Sequence, residues 1–411
     1  MDNKRAVITG IGVVSSIGIG KENFWKAILE MKSGIDTIDS FDTSSFPSKI
    51  AAEIKNFSVD EFVDPKKSVL MDRSVQFAVV AAKMAKEDAK LLINKSNEES
   101  IHVIMGTAIG GLIWVLQQQN NLLQKGLKHV HAYSASIGMA NSCSAEISIE
   151  LGVKGPSETF SVGCASSHSA LGYALKKIRY DEAKIVFVGG ADAPIYPLPF
   201  GSLCVMKVLS CMNKKPKEAC KPFDAKRDGM VLGEGAAVLV VEELEHAKRR
   251  GADIHAEVSG FGTTCDSYHI VHSDGNKCMT RAIEIALKDS NINKEEISFI
   301  NAHGLAIKKS DLTEARAIKD VFSNLTKKIP VISIKSMVGH PLAAAGSMQF
   351  AVSALSIKSN IMPATLNYKN PDLEFDLNIN REVRGADIKA VICNSFAFGG
   401  KNSCIVLKKY Q

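Results

Sequence analysis

The sequence predicts an α/β fold with central β-sheets, organised as one duplicated unit. Three observations predict it. Short runs rich in Val and Ile alternate with helix-like segments along the whole chain, the pattern of strands covered by helices. A strand ending in a Gly-x-Gly turn occurs near the start and again past the middle. The 411 residues are 45% hydrophobic and 23% charged, which supplies a large core and excludes disorder and fibrous repeats.

Taken in order, Met1-Asp2-Asn3-Lys4-Arg5 leads into a first strand at Val7-Ile8-Thr9 without the pattern of a signal peptide. A helix is predicted over 73–92, a strand at Val103-Ile104-Met105, a helix over 166–179, and strands at Ile185-Val186-Phe187-Val188 and over 237–241. A charged stretch over 242–253 then marks a seam, so the halves are read as 1–250 and 251–411. Past it the elements recur. Ala6-Val7-Ile8-Thr9-Gly10-Ile11-Gly12 is echoed by Ala256-Glu257-Val258-Ser259-Gly260-Phe261-Gly262, the strand at 101–106 by 297–302, and the strand at 185–189 by 390–394. The stretch 336–357 has no charged residue, yet its Gly, Pro, Ser and Gln suit a loop and a buried helix better than a bilayer span.

Charge and cysteine usage bound the setting. Fifty Lys and Arg against 44 Asp and Glu leave a diffuse +6, which argues neither nucleic acid nor membrane as partner. Nine cysteines form no CxxC pair, so a reducing, cytoplasmic compartment is expected. No metal site is read, and the His129/His131 pair suits a surface loop. A dinucleotide fingerprint fails because Ser15 stands where the third glycine is needed, and a P-loop fails because Glu22 follows Gly20-Lys21.

Cys164 is the candidate nucleophile. It sits between a strand-like run and a helix that begins with small residues, where unsatisfied N–H groups and the helix dipole favour thiolate and can hold an oxyanion. A packed core cysteine is the ordinary alternative. Two histidines tip the balance: His303 follows a buried strand in Asn-Ala-His-Gly, and His340 follows another in Lys335-Ser-Met-Val-Gly-His-Pro, with Lys335 five residues before it.

These residues carry a family resemblance. Gly163-Cys164-Ala165-Ser166-Ser167, Asn301-Ala302-His303-Gly304 and the Lys335 to His340 stretch resemble the Cys-His-His set of the β-ketoacyl-acyl carrier protein synthases, nearest to the elongating type II branch that includes type II polyketide ketosynthases. Further matches are 8–15, Pro222-Phe223-Asp224, Arg227-Asp228-Gly229, 232–236 and 394–400, so the likeness runs nearly end to end. It implies the thiolase-like fold, two similar βαβαβ-type halves in a five-layered αβαβα core. It also implies decarboxylative Claisen condensation of an acyl chain on Cys164 with a malonyl-carrier thioester. No bound cofactor is implied, since the phosphopantetheine arm of the acyl carrier protein delivers both substrates.

The same resemblance assigns roles. His303 and His340 stabilise the enolate, Lys335 orients His303 and pairs with Glu314, and the backbone N–H groups of Cys164 and Phe398 form the oxyanion hole, with Phe398 as gate. Ile109, Met230 and Phe398 would line the substrate pocket. An acidic carrier protein calls for a basic patch, and Lys66, Lys67, Arg73, Lys207, Lys214 and Lys215 are its candidates. The partner subunit would be a second copy or a chain-length-factor-like chain. Departures from the family pattern are Leu305-Ala306-Ile307 in place of Thr-x-Thr, Ala397 and Lys401 around the gate, and Met230 in place of an aromatic residue. They point to polyketide or other secondary biosynthesis more than to housekeeping fatty-acid synthesis. The alternative reading is a malonyl decarboxylase, or a synthase active only with its partner.

Overall fold

The computed structural model describes residues 4–411. Ten strands build its main sheet: β1 (Ala6–Ser15), β2 (Ile101–Gly106), β3 (Ser157–Phe160), β4 (Ile185–Asp192), β5 (Gly235–Glu243), β6 (Ala256–Cys265), β7 (Ile297–Asn301), β8 (Pro330–Ile332), β9 (Ala390–Ala397) and β10 (Lys401–Lys408). Their spatial order is β8-β7-β9-β10-β6-β1-β5-β4-β2-β3, with short two-residue strands added at the margins. Read outward from the middle, β1-β5-β4-β2-β3 and β6-β10-β9-β7-β8 are the same arrangement. The inner pairs are antiparallel in both halves and the outer pairs parallel in both. The halves meet where Ala6–Ile8 of β1 pairs antiparallel with Ala256–Val258 of β6. All three sequence echoes fall on matching strands.

Helices repeat in the same order. α1 (Arg73–Asp88), α2 (Ser142–Leu151) and α3 (Ser166–Arg179) in the first half match α4 (Lys277–Ser290), α5 (Lys308–Phe322) and α6 (Ala344–Ser359) in the second. α1 packs on β1 and β5, and α4 packs on β6 and β10, forming the outer layers. α3 and α6 touch each other and strands of both halves, so they form the middle layer of an αβαβα stack. α6 is buried at every position from Ala344 to Ile357, which explains the charge-free stretch.

The Gly-x-Gly repeat has a packing cause. A Cβ on Gly10 or Gly12 would strike the α1 backbone at Ala85 and Ala81, and one on Gly260 or Gly262 would strike α4 at Ala286 and Ala282. Strand and helix therefore approach closely at the equivalent place in each half. α1 ends at Asp88, four residues short of the predicted end, because Lys90 turns to φ +50. Among the described residues no helix is long and apolar enough to cross a membrane.

Candidate active site

The duplication decides where the candidate site residues lie. Cys164 stands in the loop from β3 to α3, and His340 in the matching loop from β8 to α6. His303 stands after β7, and its counterpart after β2 is the 107–110 loop. Both sets of loops leave the same ends of the strands and meet over the middle layer.

The structure brings Cys164, His303, His340 and Lys335 together. Cys164 Sγ lies 3.0 Å from His340 Nε2. The rings of His303 and His340 are 5.6 Å apart at 89°, and both side chains are almost fully buried. Lys335 Nζ donates to the His303 carbonyl oxygen at 2.5 Å and lies 3.4 Å from its Nδ1. That leaves His303 Nε2 buried without a partner, the atom free to meet a substrate.

Three supports fix these groups. Glu314 accepts the backbone N–H bonds of His303 and Gly304 at 2.8 Å each. It forms no ion pair with Lys335 within 4 Å, contrary to the pairing expected from the resemblance. The two instead hold opposite sides of the His303 peptide. His340 N–H donates to Val231 O at 2.7 Å, and Gly233 N–H donates to His340 O at 3.0 Å, which gives the 232–236 motif its use. Asp311 accepts N–H bonds from Leu305 and Phe223, and Arg227 donates to Lys308 O, so the 222–229 motifs bracket the loop after His303.

Burial sets the charge states. It drives His303 and His340 well below the usual histidine range, with the Lys335 charge adding to the effect, so both rings are neutral at pH 7. Lys335 itself is lowered to about 8 by burial, against the pull of Glu314 and Cys164. The Cys164 thiol is pushed up to about 12 by burial, and Lys335 only partly offsets this. Burial thus works against the thiolate that the position of Sγ, just before the N-terminus of α3 and beside His340, was expected to favour.

A cavity of ≈ 480 Å³ leads from an exposed rim at His269, His272 and Lys309 to a floor at His303 and Glu314. Leu305, Ile307 and Val271 give it apolar walls, and Phe398 borders it where the β9–β10 turn meets the Cys164 turn. A Cβ on Gly163 would lie 3.2 Å from that of Ala397, so the two turns touch. The gate turn is pinned by Gly399 N–H to Ile270 O at 2.7 Å and Asp266 N–H to Gly400 O at 2.9 Å.

Of the residues expected to line the substrate pocket, Phe398 borders this cavity, while Ile109 and Met230, like Cys164 itself, do not. Met230 is buried behind its wall with Leu209, Leu232 and Leu305, because its backbone is bonded to Val208 and Ser210. Ile109 lies on the 107–110 loop, with its N–H held by Asp192. The basic patch also needs correction. Arg73 makes a two-armed bond to buried Glu234 and a third to Ile54 O, so it braces the structure. Lys67 pairs with Glu150 and Lys215 with Glu218, while Lys66, Lys207 and Lys214 are exposed and form no ion pair within 4 Å among the described residues.

The sequence reading missed Asp192 and Asp311, both fully buried carboxylates beside the site. Asp192 had a findable signal, an acid ending an otherwise apolar strand.

Comparison with known proteins decides the family. The sequence matches the β-ketoacyl synthase N-terminal domain over residues 3–247 and the β-ketoacyl synthase C-terminal domain over residues 255–369. The chain belongs to the β-ketoacyl synthase family. It is 40% identical to 3-oxoacyl-[acyl-carrier-protein] synthase 2 of Synechocystis sp. and to the enzyme of that name from Coxiella burnetii, over 100% of this chain and 99% of each relative. Among solved structures, a type II PKS acyl-carrier protein in complex with its ketosynthase, bound to the hexaketide, matches with a TM-score of 0.91 at 31% identity over 99% of this chain and 100% of that one. The ishigamide ketosynthase/chain length factor matches with a TM-score of 0.91 at 33% identity over the full length of both chains. The fold is thus the thiolase-like ketosynthase fold, and the protein is an acyltransferase of the ketosynthase class.

Proposed function

We propose that the protein elongates carrier-bound acyl chains by decarboxylative Claisen condensation, with Cys164 as nucleophile. The observation that carries this reading is the cluster of Cys164 Sγ 3.0 Å from His340 Nε2, with His303 set perpendicular to His340 and backed by Lys335. In the first half-reaction Sγ attacks the acyl thioester of the carrier's phosphopantetheine arm. The thiol proton of Cys164 ends on the departing pantetheine sulfur, so no net charge is left in the dry site. A malonyl-carrier thioester follows. Its C–C bond breaks to release CO2, and the enolate oxygen receives N–H bonds from neutral His303 and His340. The carbanion forms a C–C bond to the acyl carbonyl carbon, whose oxyanion is held by the N–H groups of Cys164 and Phe398. The C–S bond then breaks, and the released Cys164 thiolate takes one proton from solvent.

Neutral histidines suit this task, since an imidazolium would favour the malonyl carboxylate and oppose its loss as CO2. Leu305 and Ile307 stand where the family pattern has hydroxyls and, with Val271, give the entering arm apolar walls, which favours a specialised polyketide or secondary pathway. Lys66, Lys207 and Lys214 remain as the steering charges for an acidic carrier; Lys207 stands between Met206 and Val208, which line the cavity. The reading seats a partner subunit of the same fold on Leu112, Val115, Leu122, Leu123 and Leu127, and their exposure in one short stretch supports it.

Intact-mass analysis of the purified enzyme with a panel of acyl carriers tests the reading. Acyl adducts on Cys164, followed by a 3-oxoacyl carrier product on adding malonyl carrier, support it. CO2 release with no longer product would instead mark a decarboxylase or a synthase lacking its partner.

A further inference from the structure

We propose that the protein carries an anion site away from Cys164, built on Lys221, that takes inorganic phosphate or the phosphate group of a monoester. The observation that carries it is a buried ammonium without an oxygen partner. Lys221 is 6% exposed and forms no ion pair within 4 Å among the described residues. The one hydrogen bond of its Nζ among them runs to Met212 Sδ at 3.5 Å, and a thioether is a weak acceptor. An ammonium has three N–H groups to satisfy and a charge that is costly to bury unpaired, so this side chain is short of an anion.

Lys221 lines a cavity of ≈ 240 Å³ between residues 212–226 and the loop at 367–370, which shares no residue with the cavity that leads to His303. Lys226 and Lys369 line it too, and both are exposed. Two carboxylates border the same space, and each is already engaged. Asp224 is fully buried and accepts backbone N–H bonds from Lys226 at 2.8 Å, Lys369 at 2.7 Å and Asn370 at 2.6 Å. Glu218 lies 3.5 Å from both Lys215 and Lys369. Asn367 Nδ2 donates to Lys217 O at 2.8 Å and to Cys220 O at 3.0 Å, so the two walls are tied together before any ligand enters. Residues 212–226 hold five lysines against Glu218 and Asp224, and that field draws anions to the cavity. The cations lining it are all lysines, which hold a phosphate as point charges, with no arginine fork to favour a flat carboxylate. The space is larger than a phosphate ion, which leaves room for the group that an ester carries.

Calorimetric titration and thermal melts at constant ionic strength test the site, with inorganic phosphate and glycerol 3-phosphate as probes and sodium chloride as the control. The parent is expected to bind one phosphate group per chain and to melt at a higher temperature as either probe is added. Lys221→Met should weaken that binding by about tenfold or more, the scale of one lost charge-assisted hydrogen bond, while Lys221→Arg keeps it. If Lys221→Met does not fold, Lys226→Met, on an exposed side chain, carries the test with an expected loss of about threefold. Equal affinity for the two probes assigns the phosphate group alone, and tighter binding of the ester assigns the ester; both sustain the site. Absence of saturable binding by the parent, or parent-like affinity in the folded variants that remove a lysine, would overturn it.

Discussion

Cys164 and His340 are 176 residues apart, and nothing local in the sequence shows that their atoms lie 3.0 Å from each other. What the sequence does show is their shared context, a strand end followed by glycine and a helix, and the family pattern supplied the rest. The geometry predicts that Cys164→Ala abolishes the acyl adduct by mass spectrometry with an unchanged unfolding temperature. His303→Ala is expected to keep acylation and lose malonyl decarboxylation, read as CO2 release; unchanged release would remove His303 from the enolate. The charge states give a pH prediction. Both histidines are held well below their ordinary range by burial and by Lys335, so decarboxylation should stay level as pH falls from about 8 to about 6. Lys335, lowered to about 8, loses its charge above that value, and activity should then decline. A bell centred on an ordinary histidine value would contradict this. The helix N-terminus that favours a Cys164 thiolate and the Lys335–Glu314 pair implied by the resemblance both leave out how strongly burial acts on charge in this site.

At the scale of elements, strands and buried helices were legible because their apolar runs are long and uninterrupted. Docking surfaces were less so, since a sequence does not say which cations are already paired. Arg73 illustrates this: it looks like a surface charge beside Lys66 and Lys67, but Glu234, 161 residues away, holds it. The seam between halves offers a stability test. Glu242 on β5 is buried, yet hydrogen bonds from Arg250, His246 and Thr9 outweigh that burial and hold its carboxyl at about 2. A depressed carboxyl stabilises the fold above its ordinary value of 4.5 and loses that contribution as pH falls toward 2. Glu242→Gln should therefore destabilise the protein at pH 7 by about 3 kcal/mol or less, with the gap from the parent closing in acid. Denaturant melts at pH 7 and pH 3 would show it, and an equal gap at both would exclude the linkage.

For the whole molecule, the duplication is the most informative feature, and three faint echoes in the sequence were enough to detect it. They escaped certainty because β3 and β8 are only four and three residues long and share no sequence pattern. Duplication also accounts for the site: loops of the two halves bring Cys164 from one and His303 and His340 from the other to a shared middle layer. The exposed apolar stretch around Leu112–Leu127 predicts that the protein is not a monomer at micromolar concentration. Light scattering checks this, and Leu123→Asp with Leu127→Asp should shift the mass toward one chain. The central claim is that this shared layer is a condensing site working through Cys164. Its most direct test is intact-mass analysis of the parent and of Cys164→Ala after incubation with acyl carriers and then malonyl carrier. The account predicts an acyl adduct on the parent alone, discharged as a 3-oxoacyl carrier two carbons longer; an equal adduct on Cys164→Ala would contradict it.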